Sequence, residues 1–156
     1  MKSLVLFYSW HGNAKKIANI IAKLTGADIF EIEPQEAYSD SYAICIAQAG
    51  YELKIGSKRD IKCVPENFAD YDVVYLGSPI WWGSLACPMF VAVDKLDWTG
   101  KKVCPFCTHG GGGEARFPAD VKKLCQGAEV TASFQVKLLG DGSLEADLKE
   151  WLQKIS

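Results

Sequence analysis

Apolar residues along this chain gather into five short, β-rich runs separated by stretches with helical spacing. The runs are SLVLFY at 3–8, ADIFEIE at 27–33, DVVYLG at 72–77, KVCPFC at 102–107 and EVTASF at 129–134. Runs one, three and four are almost unbroken apolar sequence, as central parallel strands covered on both faces should be. Run two alternates through Asp28, Glu31 and Glu33 and fits a sheet edge. Between the first two runs, Ala14, Ile17, Ala18, Ile21 and Leu24 share one helical face, and Thr25-Gly26 closes that helix. Tyr42, Ile46, Ala49 and Leu53 repeat the stripe more weakly. Stretches 88–96 and 117–125 predict two short helices. Leu144, Leu148, Trp151, Leu152 and Ile155 predict a final one, with Ser143 at its N-cap.

Strand–helix alternation predicts an α/β class with a doubly wound parallel sheet covered on both faces. The 156 residues suffice for one domain with a proper core, so 1–156 reads as a single unit. Hydrophobic residues make up 49% and the net charge is -2, with no basic stripe, which argues against a nucleic-acid binder. No apolar run approaches a membrane span, and the first residues lack a signal peptide's pattern, so a soluble cytoplasmic protein is expected. In that setting the six cysteines read as buried free thiols rather than disulfides.

Ligands of open α/β sheets bind beyond the carboxyl ends of the strands. The loops that fall there are SWHGNA, SPIWWGSLACP and THGGGGEARF. The first enters a helix, whose N-terminal N–H groups suit a phosphate; Ser9 adds a hydroxyl, Asn13 an amide, and Gly12 a close backbone approach. A plain strand-to-helix turn with Asn13 as N-cap accounts for that loop equally well. In the second, adjacent Trp81 and Trp82 stand at the mouth of a central strand, where at least one should lie over a site or in solvent. In the third, four glycines follow Thr108 and His109, and His109 fits either chemistry or a structural hydrogen bond.

Taken together, the strand–Ser-x-x-Gly-Asn–helix start, DVVYLGSPIWWG, and PFCTHGG after the fourth strand resemble the flavodoxin family, in its short bacterial branch. The likeness follows the order and spacing of nearly the whole chain. It implies a flavodoxin-like three-layer sandwich with a five-stranded parallel sheet of order 2-1-3-4-5, and non-covalent FMN. By position it puts the phosphate loop on Ser9, Trp10, His11, Gly12, Asn13 and Ala14. It puts the loop beside the isoalloxazine on Pro79, Ile80, Trp81, Trp82 and Gly83, and the opposite flank on Thr108, His109, Gly110 and Gly111. No catalytic side chain is implied. The partners implied are redox proteins, a reductase and an acceptor, around a monomer or weak dimer.

The first loop departs from the family's pattern, which has threonines where His11 and Ala14 stand. Two hydroxyl donors are missing, at about 0.5–1.5 kcal/mol each, or roughly tenfold to a hundredfold in affinity unless His11 donates in their place. Cys104 and Cys107 in one strand would point to opposite faces, which argues against dithiol chemistry. Two other functions fit the same fold: an FMN-dependent NAD(P)H:quinone-type reductase, and a scaffold without flavin acting as an interaction domain.

Overall fold

The computed structural model describes residues 1–140 and 142–156. Strand β1 (Ser3–Phe7) leads into helix α1 (Asn13–Thr25), then β2 (Asp28–Glu31) and α2 (Tyr42–Ile55). Strand β3 (Val73–Trp81) turns back through β4 (Ser84–Leu85) into α3 (Cys87–Asp94). Then come β5 (Lys102–His109), α4 (Phe117–Leu124), β6 (Glu129–Val130), β7 (Phe134–Lys137) and α5 (Leu144–Ile155).

The sheet runs β2-β1-β3-β5-β6, with β7 also on β5, and all these pairings are parallel. This is the doubly wound order 2-1-3-4-5 once β6 and β7 are taken as one interrupted outer strand. Alternation along the central strands sends side chains to two cores. Leu4, Leu6, Val74, Leu76, Val103 and Cys107 face α2, α3 and α4. Val5, Phe7, Val73, Tyr75, Cys104 and Phe106 face α1 and α5. Burial on both faces is what produces the unbroken apolar runs. Helix α1 buries Ala14, Ile17, Ala18 and Ile21, and Gly26 closes it by donating its N–H to the Ala22 carbonyl at 2.8 Å.

Two expected elements differ. The fifth run was expected to be one strand over 129–134, but it is two strands separated by 131–133. Between the pairs Val103–Val130 and Phe106–Phe134, the outer strand takes one residue more than β5, a bulge. The displaced residues are held elsewhere. The Ala132 carbonyl accepts the Trp151 indole N–H at 2.9 Å, and the Ser133 hydroxyl donates to Glu114.

On α2 the inner face is Cys45, Ala49 and Glu52, while Tyr42 is 60% exposed. A buried carboxylate sits where apolar periodicity placed none. Glu52 accepts hydrogen bonds from the Tyr38 hydroxyl at 2.8 Å, the Arg59 N–H at 2.9 Å and Arg59 Nε at 3.1 Å. The Arg59 guanidinium lies 3.8 Å from the Tyr38 ring centroid and also donates to the Glu36 and Ala37 carbonyls. A paired and hydrogen-bonded charge is tolerated inside. This cluster folds the long 34–71 connection against the sheet.

Candidate functional site

The strand order reverses between β2-β1 and β1-β3, and the loops after β1, β3 and β5 converge there on a cavity of about 370 Å3. The first loop contributes Trp10, Asn13 and Ala14, the second Pro79, Ile80 and Trp81, the third Thr108, His109 and Gly110. Tyr42 from the start of α2 and Leu138 from the turn after β7 complete the wall. Among the described residues no Asp, Glu, Lys or Arg lines it. The wall is aromatic and apolar with a few polar groups, the usual make-up of a small-molecule site.

The first loop is shaped by two left-handed residues, His11 at φ 60° and Gly12 at φ 96°. Gly12 is the N-cap of α1, and no side chain caps from that position. The capping hydroxyl comes from further back: Ser9 Oγ accepts the Lys15 N–H at 3.1 Å. Gly12 O accepts the Lys16 N–H at 3.0 Å. The N–H groups of Gly12, Asn13 and Ala14 have no acceptor among the described residues. They form the positive end of the α1 dipole, directed at the cavity edge where Asn13 and Ala14 sit. Ser9 still has its own O–H to donate.

The second loop is a two-residue hairpin. Trp81 pairs with Ser84 across it, and Trp82 (φ 52°) and Gly83 (φ 81°) occupy its two central positions. Two consecutive positive φ values mark the type I′ turn that suits the twist of flanking strands. The turn separates the tryptophans. Trp81 is buried, with the rings of Tyr8 and Tyr38 edge-on at 5.5 and 5.0 Å. Trp82 is 52% exposed and leans outward over α2, donating its indole N–H to the Ile46 carbonyl at 2.9 Å. Ser78 Oγ accepts the Ala86 N–H at 2.9 Å, and Arg116 Nη2 donates to the Trp82 carbonyl at 2.8 Å, fixing both sides of the hairpin.

In the third loop His109 Nδ1 accepts the N–H groups of Gly111 and Gly113 at 3.1 and 3.2 Å. The neutral ring therefore carries its proton on Nε2. His109 both organises the glycine loop and lines the cavity. The thiols nearby are inert: burial pushes Cys107 up to about 12, and burial, partly opposed by Arg59, takes Cys45 to about 11. Burial also raises the Tyr8 phenol.

Six of the expected site residues do not line the cavity. Ser9 and Gly12 lie at the cavity's edge rather than in its lining, as side-chain cap and N-cap of α1. Trp82 and Gly83 are carried outward by the turn. Gly111 is held by His109, with the Lys137 side chain alongside. His11 does not reach in to replace a lost hydroxyl. Its ring stacks on Trp10 at 3.6 Å, and Nε2 lies 3.6 Å from the Asp40 carboxylate. Trp10 in turn donates its indole N–H to the Ser39 carbonyl at 3.1 Å.

Tyr42 and Leu138 were not foreseen as site residues. Tyr42 falls on the apolar stripe of α2 and by periodicity reads as helix core, whereas Leu138 carries no signal. A larger open groove of about 800 Å3 runs between β6, β7 and α5, lined by charges of both signs, away from these loops. Among the described residues no helix is long and apolar enough to cross a membrane, and no cluster of His, Cys, Asp and Glu could hold a metal ion.

A doubly wound sheet with a cavity at its switch point, built by these three loops, defines a flavodoxin-like α/β protein. The chain belongs to the flavodoxin family, whose model, described as Flavodoxin, matches residues 2–155. It is 30% identical over 111 residues to an uncharacterized protein of Methanocaldococcus jannaschii, covering 70% of this chain and 55% of that one. The match thus spans about half the length of this curated relative. Among solved structures, the chain is similar to a candidate flavoprotein from Bacteroides eggerthii, with TM-score 0.85 and 25% identity over 99% of this chain and 97% of that one. A flavoprotein from Lactobacillus acidophilus, solved in complex with FMN, gives TM-score 0.77 and 21% identity over 97% and 98% of the two chains.

Proposed function

We propose that this chain binds FMN non-covalently in the cavity between its three loops and serves as an electron-transfer protein. The observation that carries the reading is the juxtaposition of α1 N–H groups that have no acceptor among the described residues with an aromatic cavity that no Asp, Glu, Lys or Arg among them lines, at the sheet's switch point. A phosphate suits the first feature and a flat ring system the second. The volume of about 370 Å3 falls within the range of small-molecule sites. FMN, when bound, supplies one- and two-electron redox chemistry.

The chain's own part is to bind and to exclude water. Gly12, Asn13 and Ala14 offer backbone N–H groups to a phosphate, and Ser9 adds a hydroxyl. Trp10, Tyr42, Ile80 and Trp81 supply apolar wall. His109 Nε2–H and the Gly110 backbone supply polar contacts at the opposite flank. The two missing hydroxyls of the first loop have no substitute in His11, so affinity is roughly tenfold to a hundredfold below that of a loop with both.

Anaerobic redox titration of the FMN-reconstituted chain tests the reading. Two resolved one-electron steps are expected. A single two-electron step together with NAD(P)H oxidation would replace the carrier with a reductase, and failure to take up FMN would remove both.

A further inference from the structure

The four glycines at 110–113 hang largely on one side chain. Among the described residues, no backbone–backbone hydrogen bond involves them. A Cβ on Gly110 or Gly112 would meet nothing within 4 Å, so packing does not hold the loop at those points. Gly111 and Gly113, at φ 134° and 73°, turn their N–H groups onto His109 Nδ1 at 3.1 and 3.2 Å. Both bonds need the lone pair of an unprotonated Nδ1. The ring's donor is then Nε2–H, on a residue that lines the cavity.

We propose that His109 is a positioning residue that works as a proton-operated latch on this loop. Unprotonated, it ties down Gly111 and Gly113 and keeps its Nε2–H at the cavity wall. A proton taken from solvent onto Nδ1 removes the acceptor of both N–H groups and sets three donors against one another. Both bonds break, and 110–113 leaves the flank of the cavity. The latched form is the one that binds FMN, so acid weakens binding. That consequence rests on the FMN reading above; the latch itself does not.

Few charged or titratable groups face the ring. On β7, Lys137 is in register with His109, and its side chain lies along Gly111. In the far limb of the loop, Glu114 accepts the Ser133 hydroxyl and donates its N–H to Gln135, while Arg116 donates to the Trp82 carbonyl. Across the cavity α2 presents the Tyr42 phenol, α1 presents Asn13, and the end of β3 presents Pro79 and Ile80. On His109's own strand burial pushes the Cys107 thiol up to about 12, so it stays protonated. Among these kinds of side chain, imidazole is the one that ordinarily changes charge between about pH 5 and 8.

Asparagine separates a latch from a plain structural tie. Its Oδ1 is attached to Cγ as Nδ1 is, accepts N–H groups, and does not titrate. His109→Asn therefore keeps the tie and loses the response to acid.

The test is 1H–15N NMR of the full flavin-free chain between about pH 8 and 5. The chain has two histidines, and His11→Ala leaves the His109 imidazole alone in the spectrum. At the alkaline end Nδ1 is expected bare and Nε2 protonated. As acid is added, the Gly111 and Gly113 amides should move together with protonation of Nδ1 and exchange faster with water. In His109→Asn both amides should stay in place. Fluorescence titration with FMN reads the consequence. At about pH 8, His109→Asn should bind about twofold to tenfold more weakly than the unaltered chain, for the lost Nε2–H. Its affinity should then follow only the titration of the phosphate, while the unaltered chain falls about tenfold further by about pH 5. Glycine amides indifferent to His109 protonation, or equally displaced in His109→Asn, overturn the latch. Parallel pH curves for the two chains, with the amides following His109, overturn its part in flavin binding. No uptake of FMN overturns the function proposed above, and the spectra of the flavin-free chain still decide the latch.

Discussion

Among the described residues, four other than glycine adopt left-handed backbone: His11, Trp82, Ala115 and Leu138. Each belongs to a loop at the carboxyl end of a strand. Such conformations cost energy and persist where the surroundings hold them, which is commonly at functional sites. The same conformation turns the His11 ring away from the cavity. His11→Ala should therefore leave FMN affinity within about threefold across neutral pH, measured by fluorescence titration; a larger loss would return His11 to the site. Gly77 is constrained differently, because a Cβ there would come within 2.1 Å of the Phe106 ring. Gly77→Ala should destabilise the fold by about 1–3 kcal/mol, read by denaturant unfolding. Of the six cysteines Cys63 alone is exposed. A thiol-specific chromogenic reagent at neutral pH should report one reactive group in the native chain and six after denaturation; fast labelling of a second group in the native state would contradict the packing described.

The elements differ in how plainly they were written in the sequence. Helices α1 and α5 have clean apolar stripes, and their predicted limits fall within a residue or so of the observed ones. The β3–β4 hairpin was not legible, because its turn is Trp-Gly rather than Asn-Gly and its return strand has only two residues. That hairpin decides which tryptophan faces the cavity, a choice the sequence left open. The place of Tyr42 is hidden for a related reason: α2 is apolar on both faces, so periodicity alone does not say which face is inside. Leu138 reaches the cavity only through the turn after β7, beyond any local signal. The two tryptophans should separate in experiment. Trp82→Ala should leave FMN affinity within about threefold. Trp81→Ala, which removes a buried ring packed between Tyr8 and Tyr38, should destabilise the chain by about 3–5 kcal/mol. Equal effects on FMN binding at unchanged stability would refute this assignment.

At the scale of the whole molecule, the strand order came only with the resemblance to the flavodoxin family, whereas the central strands and one edge were legible because unbroken apolar runs mark strands buried on both faces and an alternating run marks an edge. The bulge between β6 and β7 was not, since it is set by Trp151 and Glu114, distant in sequence. Burial on both faces of the sheet also sets the response to alkali. The Cys45, Cys107 and Cys125 thiols are raised from 9.0 to about 11, 12 and 12, mainly by burial. The unfolded chain loses these protons first. The native state's advantage is therefore complete below about pH 9 and declines between about 9 and 12. Thermal midpoints should stay level up to about pH 9 and then fall; a rise with alkali would contradict the buried placement of these thiols. The central claim is that three loops at the strand ends form an FMN site whose phosphate end is the start of α1. Fluorescence titration of the flavin-free chain with FMN, and in parallel with riboflavin, tests it most directly. The account predicts saturable quenching at one FMN per chain and clearly weaker binding of riboflavin, which lacks the phosphate. No quenching by FMN, or equal affinity for the two flavins, would contradict it.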